Sequence, residues 1–131
     1  MVVAFLMKSP FYKERGVNMQ CGNYNGYVAF KEELPLSYQG EWNYNTETEE
    51  HLDDIVDVHG GITYDIKGFG EATPIIPITE IPEDFCSYRV IGFDCAHSGD
   101  TSEIWSFEAT KKETLNLKKQ IETLIKNIKI I

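Results

Sequence analysis

The longest regular pattern in the chain lies near its carboxyl end, where Leu117, Ile121, Leu124, Ile125 and Ile128 recur at helical spacing and lysines occupy the other faces. Thr110-Lys111-Lys112-Glu113 precedes this stripe as a capping box, in which a hydroxyl and a carboxylate satisfy two orphaned backbone donors. Together they predict an amphipathic helix over about 110–129 whose apolar stripe covers a sheet face. The stripe is too short for the three or four heptads that mark a coiled coil.

Upstream, the pattern is strand-like. The apolar run from Met1 to Met7 is too short to span a bilayer, has no basic leading region and no small-residue cleavage pattern, and predicts a strand. From Asn25 to Lys31, aromatic and β-branched residues following an Asn-Gly turn predict a second strand. Ile55 to His59 and Ile62 to Ile66 flank Gly60-Gly61 and predict a tight β-hairpin with its glycines at positive φ. Pro74 and Pro77, set among Ile75, Ile76 and Ile78, predict an irregular or edge segment. Tyr88 to Cys95 reads as a buried strand, whereas the stretch from Pro35 to Asn45 breaks any period and predicts a surface loop carrying Trp42 and Tyr44. The expected architecture is one α+β domain over 1–131, in which a small antiparallel sheet from the strand-rich residues 1–109 is packed by the C-terminal helix.

Length and composition leave this picture standing, since 131 residues suffice for one core, and 42% hydrophobic with 25% charged residues is ordinary for a globular chain. Charge changes it. A formal net charge of −9 argues against direct nucleic-acid binding, which needs clustered Lys and Arg. The excess is also uneven: six lysines against two glutamates give the segment from Lys111 onward +4, and the remainder −13. Such a dipolar chain could form a homo-oligomer or accept a basic partner. Three cysteines without CxxC spacing give no disulfide framework or zinc knuckle and fit a reducing cytoplasm, and no segment predicts a membrane partner.

Candidate chemistry gathers in two segments, Asp57 to Gly61 and Asp94 to Asp100, both beside glycines that permit close approach. If they meet, His59, His97, Asp94 and Asp100 could hold a divalent metal with an open position, the arrangement that activates water for hydrolysis. The plainer alternative is that the aspartates hold loop amides while the histidines pack and donate to carbonyls. Gly60 and Gly61 could present amides to a phosphate, with Arg89 and Lys67 supplying charge, although no Walker lysine or following helix supports them. Cys95 with a histidine base is a weaker nucleophile candidate, because it continues a core strand. The acidic run from Glu47 to Asp57 reads as a solvated face without the pattern of a calcium loop.

At Gly26-Tyr27-Val28-Ala29, at Val58-His59-Gly60-Gly61-Ile62-Thr63-Tyr64 and from Ile91 to Asp100, the chain resembles small bacteriophage- and prophage-encoded proteins of no assigned activity. The resemblance spans about residues 25 to 128 and implies phage origin and a shared fold; the leading segment through Asn23 and the isoleucine-rich stretch from Ile75 to Ile81 depart from it. Small acidic phage accessory proteins of this kind resemble inhibitors of host defence. The reading favoured at this level is therefore a non-enzymatic binding protein in the host cytoplasm that sequesters a nucleotide-derived small molecule. Its ligand site would draw on Trp42, Tyr44, His59, Gly60, Gly61, Arg89, Asp94, His97 and Asp100. One alternative is a metal-dependent hydrolase of a phosphorylated or nucleotide substrate. The other is an acidic inhibitor of a host defence protein, acting through the Glu47 to Asp57 face.

Overall fold

In the computed structural model, which describes residues 1–32, 52–70 and 74–130, the β-branched and aromatic runs pair into one sheet. Its strands are β1 (Val2–Lys8), β2 (Tyr24–Phe30), β3 (Tyr64–Lys67), β4 (Ile76–Pro77) and β5 (Arg89–Phe93). They lie in the order β3-β5-β2-β1-β4, and every neighbouring pair is antiparallel. The longest strands sit inside and two short ones guard the edges. Pro77 on β4 removes a donor from one edge, which limits further strand pairing there.

Both faces of the sheet are apolar. Val28 and Phe30 of β2 and Ile91 and Phe93 of β5 face one way and meet Leu117, Ile121 and Ile125 of the long helix α2 (Phe107–Ile130), which follows a single short turn α1 (Leu52–Ile55) in the chain. Val3, Phe5 and Met7 of β1, with Tyr27, Ala29 and Val90, face the other way. That second face is covered by Phe69, Phe85 and Tyr88 from the chain between β3 and β5, which holds β4 and a 3-10 turn at Phe85–Ser87, with Phe5 and Tyr27 stacked at 5.3 Å and Phe85 edge-on to Phe5 at 5.3 Å. Aromatic side chains can cover a face without regular structure because each buries a large area.

The α+β expectation holds, as do the strands at the amino terminus, after Asn25 and before Cys95, and the helical stripe covers a sheet face. Three local expectations do not. Asn25 and Gly26 lie within β2 and form no turn. Gly26 is needed there because a Cβ would stand 2.5 Å from the Phe93 ring and collide with the Thr114 hydroxyl, so the strand could not approach the helix. The helix starts one turn before Thr110: Ser106 Oγ accepts from Ala109 N at 3.2 Å and caps it. Thr110 and Thr114 are buried within the helix, their hydroxyls donating to the carbonyls of Ser106 and Thr110 four residues back.

The predicted hairpin is also absent, since its second arm, Ile62 to Ile66, is a strand only from Tyr64, in β3, and Val56 to His59 pairs with no strand among the described residues. Val56 and Val58 are buried against α2, and the backbone of the exposed residue between them is answered by helix side chains. Asp57 N donates to Gln120 Oε1 at 2.7 Å, while Asp57 O accepts from Gln120 Nε2 at 2.8 Å and Asn116 Nδ2 at 3.3 Å. The alternating pattern is real, but an amphipathic helix edge takes the place of a neighbouring strand. Trp42, Tyr44 and the stretch of the acidic run up to His51 lie outside the described residues.

Replacing Gly26 with alanine should overpack the strand–helix contact and cost about 1–3 kcal/mol, measured as a fall in the urea midpoint with an unchanged slope.

Candidate functional site

The extended segment along α2 delivers His59 to the end of the sheet where β5 leaves its last residue, Phe93. The delivery is fixed by a third helix side chain: His59 N donates to Glu113 Oε2 at 3.1 Å. Gly60 and Gly61 then reverse the chain at φ of 70° and 80°, with Gly61 N donating to Val58 O at 2.9 Å. On the opposite side, the residues after Phe93 form a tight turn in which Asp100 N donates to His97 O at 2.9 Å and His97 N donates to Asp100 Oδ2 at 2.9 Å.

The two segments named from the sequence therefore meet. His59 Nε2 and Asp100 Oδ2 are 2.8 Å apart, and His97 Nδ1 lies 3.4 Å from the same carboxylate oxygen. His59 and His97 approach edge to face, with ring centroids 5.2 Å apart. His97 lies so close over Gly60 that any Cβ there would collide with its ring, which makes Gly60 part of the contact and leaves that face closed to a phosphate. Trp105 stacks on His59 at 4.1 Å and forms an apolar wall of the site.

Charge around these imidazoles is negative. Burial opposes ionisation of the Asp100 carboxyl, which is only 5% exposed, but hydrogen bonds from His59 and the His97 amide outweigh it and hold that carboxyl below the usual carboxylate range. Asp94 Oδ1 is 3.4 Å from His97 Nδ1, and Glu113 lies behind His59. His97 Nδ1 is itself buried and makes no hydrogen bond among the described residues.

His59, His97 and Asp100 bring one ligand atom each within 4.8 Å of one another. A tetrahedral ion with bonds of about 2.0–2.2 Å holds its ligand atoms roughly 3.3–3.6 Å apart, so small rotations of the side chains would close the set. Asp94, the fourth ligand expected from the sequence, stands outside this group, half exposed beside His97 and accepting from Ala96 N at 3.3 Å. The aspartates thus do hold loop amides, as the plainer reading expects, but His59 contacts a carboxylate and, among the described residues, no carbonyl.

Other expectations fall away from the site. Arg89 lies at the far end of β5, about 13 Å of strand from Phe93, and its guanidinium grips Asp65 through two contacts of 2.9 and 2.7 Å. Lys67 pairs with it in the β3–β5 ladder at that same end. Cys95 is 1% exposed and burial pushes its thiol up to about 12, which removes it as a nucleophile near neutral pH. Cys21, Cys86 and Cys95 are all free. Trp105 and Glu113 are the contributors that pattern reading missed; a tryptophan five residues beyond the Asp100 turn was the available signal.

No family model, curated protein or solved structure matches this chain. No helix among the described residues is long and apolar enough to cross a membrane.

Asp100→Asn should lower stability by about 1–3 kcal/mol at neutral pH, because the charged acceptor for His59 and the His97 amide is lost. Since the folded carboxyl titrates below its ordinary value, its contribution is present above about pH 4 and disappears as pH falls through the folded value. Thermal melts from pH 7 to pH 3 should therefore show the wild-type advantage over the variant shrinking on acidification.

Proposed function

We propose that this chain binds a divalent transition-metal ion through His59, His97 and Asp100 and uses it to hydrolyse a small phosphorylated substrate. The observation that carries the reading is His97 Nδ1, a buried atom 3.4 Å from a carboxylate oxygen of each of Asp94 and Asp100 that makes no hydrogen bond among the described residues. A buried polar atom left unsatisfied costs about 1–3 kcal/mol, and a metal bond at that nitrogen would remove the deficit. Two imidazoles and one carboxylate are a borderline ligand set suited to zinc-like ions, and three protein ligands leave at least one position open.

An ion held by His59, His97 and Asp100 would lower the pKa of a bound water to near neutrality and so would supply a nucleophile for a phosphate ester. The new bond forms from water oxygen to phosphorus, the ester P–O bond breaks, and the leaving alcohol takes a proton from solvent. Asp94, half exposed beside His97, is placed to accept the proton lost by the water. Glu113 fixes the backbone of His59, and Trp105 keeps its ring in plane, so both act as positioning residues.

This reverses the preference drawn from the sequence, in which non-enzymatic sequestration of a nucleotide-derived molecule led. The open ligand position favours hydrolysis, whereas Arg89, the cation intended to grip a ligand, is engaged elsewhere. Phage origin, a host-cytoplasm location and an anti-defence role remain compatible proposals that rest on the sequence resemblance.

Titration calorimetry with Zn2+ and Mn2+ should show one ion per chain, and His59→Ala or His97→Ala should weaken binding by more than about 100-fold, the upper end of the loss from outer-shell changes. Hydrolysis of p-nitrophenyl phosphate should vanish with chelator, return with metal and be absent in both variants. Failure of the folded wild-type protein to bind either ion contradicts the proposal. Metal binding without turnover would return the reading to sequestration.

A further inference from the structure

The loop joining β1 to β2, residues 9–23, frames a cleft of about 670 Å³, within the size range of small-molecule sites. Phe11, Tyr12, Lys13, Met19 and Gln20 line it, and Ala96 closes it from the turn that carries His97. Phe11 and Met19 are 69% and 72% exposed, an unusual display of large apolar side chains.

The loop beneath them is not loosely held. Lys13 N donates to Asn23 Oδ1 at 2.9 Å and Asn23 Nδ2 returns a bond to Lys13 O at 3.2 Å. Asn18, buried at 8% exposure, donates to Phe11 O and accepts from the amides of Gln20 and Cys21. Its own backbone is clasped by Ser102, through Asn18 N to Ser102 Oγ at 2.7 Å and Ser102 N to Asn18 O at 2.8 Å. The hydrogen bonds fix the backbone frame of the cleft, which lowers the ordering that binding requires of the loop.

Charge narrows the ligand. The chain carries −9 overall, yet the described lining of this cleft contains Lys13 and no carboxylate. A second cation, Lys8 Nζ, lies 4.5 Å over the Tyr12 ring. An aromatic surface beside an ammonium group suits a flat ring that carries an anion, with the ring stacked on Phe11 and the anion at Lys13.

We propose that the cleft framed by residues 9–23 is a binding site for a nucleoside monophosphate. It is a site separate from His59, His97 and Asp100, joined to them through the Ala96-His97 segment, and it requires no metal ion.

The test is calorimetry of the full-length, chelator-treated protein with adenosine 5′-monophosphate, adenosine and ribose 5-phosphate. The monophosphate should bind, each fragment should bind at least about tenfold more weakly, and Phe11→Ala and Lys13→Ala should each weaken the monophosphate at least about tenfold. His97→Ala should leave that affinity unchanged, so loss of the metal site and loss of the cleft are read separately. No binding of the adenine, guanine, cytosine or uracil monophosphate overturns the proposal, as does binding indifferent to both cleft substitutions. Phe11 is largely exposed, so its variant folds and a negative result is interpretable.

Discussion

A sheet that is apolar on both faces must be covered twice, and among the described residues one long helix is present to do it. The stripe from Thr110 to Ile125 covers the face of Val28, Phe30, Ile91 and Phe93. The opposite face, around Phe5, Tyr27 and Val90, falls to aromatic residues carried by the chain between β3 and β5. Because the helix is fixed by this packing, its flank is also fixed, and Glu113, Asn116 and Gln120 form a polar rail along it. The backbone of Asp57 and His59 hydrogen-bonds to that rail, which is how a segment belonging to no sheet reaches a defined position.

The candidate site is a consequence of that placement. His59 arrives from the helix side, while His97 and Asp100 arrive from the turn after β5, and Trp105 and Gly60 set the two imidazoles at an edge-to-face distance of 5.2 Å. Two weakly basic rings among Asp94, Asp100 and Glu113 make a locally anionic, partly desolvated environment. A divalent cation could answer that charge and also engage His97 Nδ1, which makes no hydrogen bond among the described residues.

Much of the sheet was legible because Tyr27 to Phe30 and Val90 to Phe93 are near-continuous apolar runs rich in β-branched and aromatic residues, the pattern of strands buried on both faces. The helix was legible from its stripe, although its start was not: Thr110 fits a capping box in sequence, but the preceding turn is stabilised by Ser106 and by the burial of Thr110 itself. Val56 and Val58 mimic a strand because burial alternates in any extended segment, and only the partner of the backbone separates a strand from chain docked on a helix. Convergence of His59 with Asp100 depends on contacts separated by 41 residues, which local pattern cannot supply. The cleft at Phe11 was invisible for the same reason: its frame is made by Asn18, Asn23 and Ser102, polar residues whose spacing resembles any surface loop.

Whether one ion joins His59 and His97 is read most directly by imidazole nitrogen NMR. Proton–nitrogen correlation spectra of the histidine rings would be recorded before and after addition of one equivalent of Zn2+. His59 Nε2 and His97 Nδ1 should shift together to metal-bound values, with the third histidine, His51, unchanged. Ring nitrogens of His59 and His97 that stay at their metal-free positions, while the protein remains folded, would contradict a shared ion.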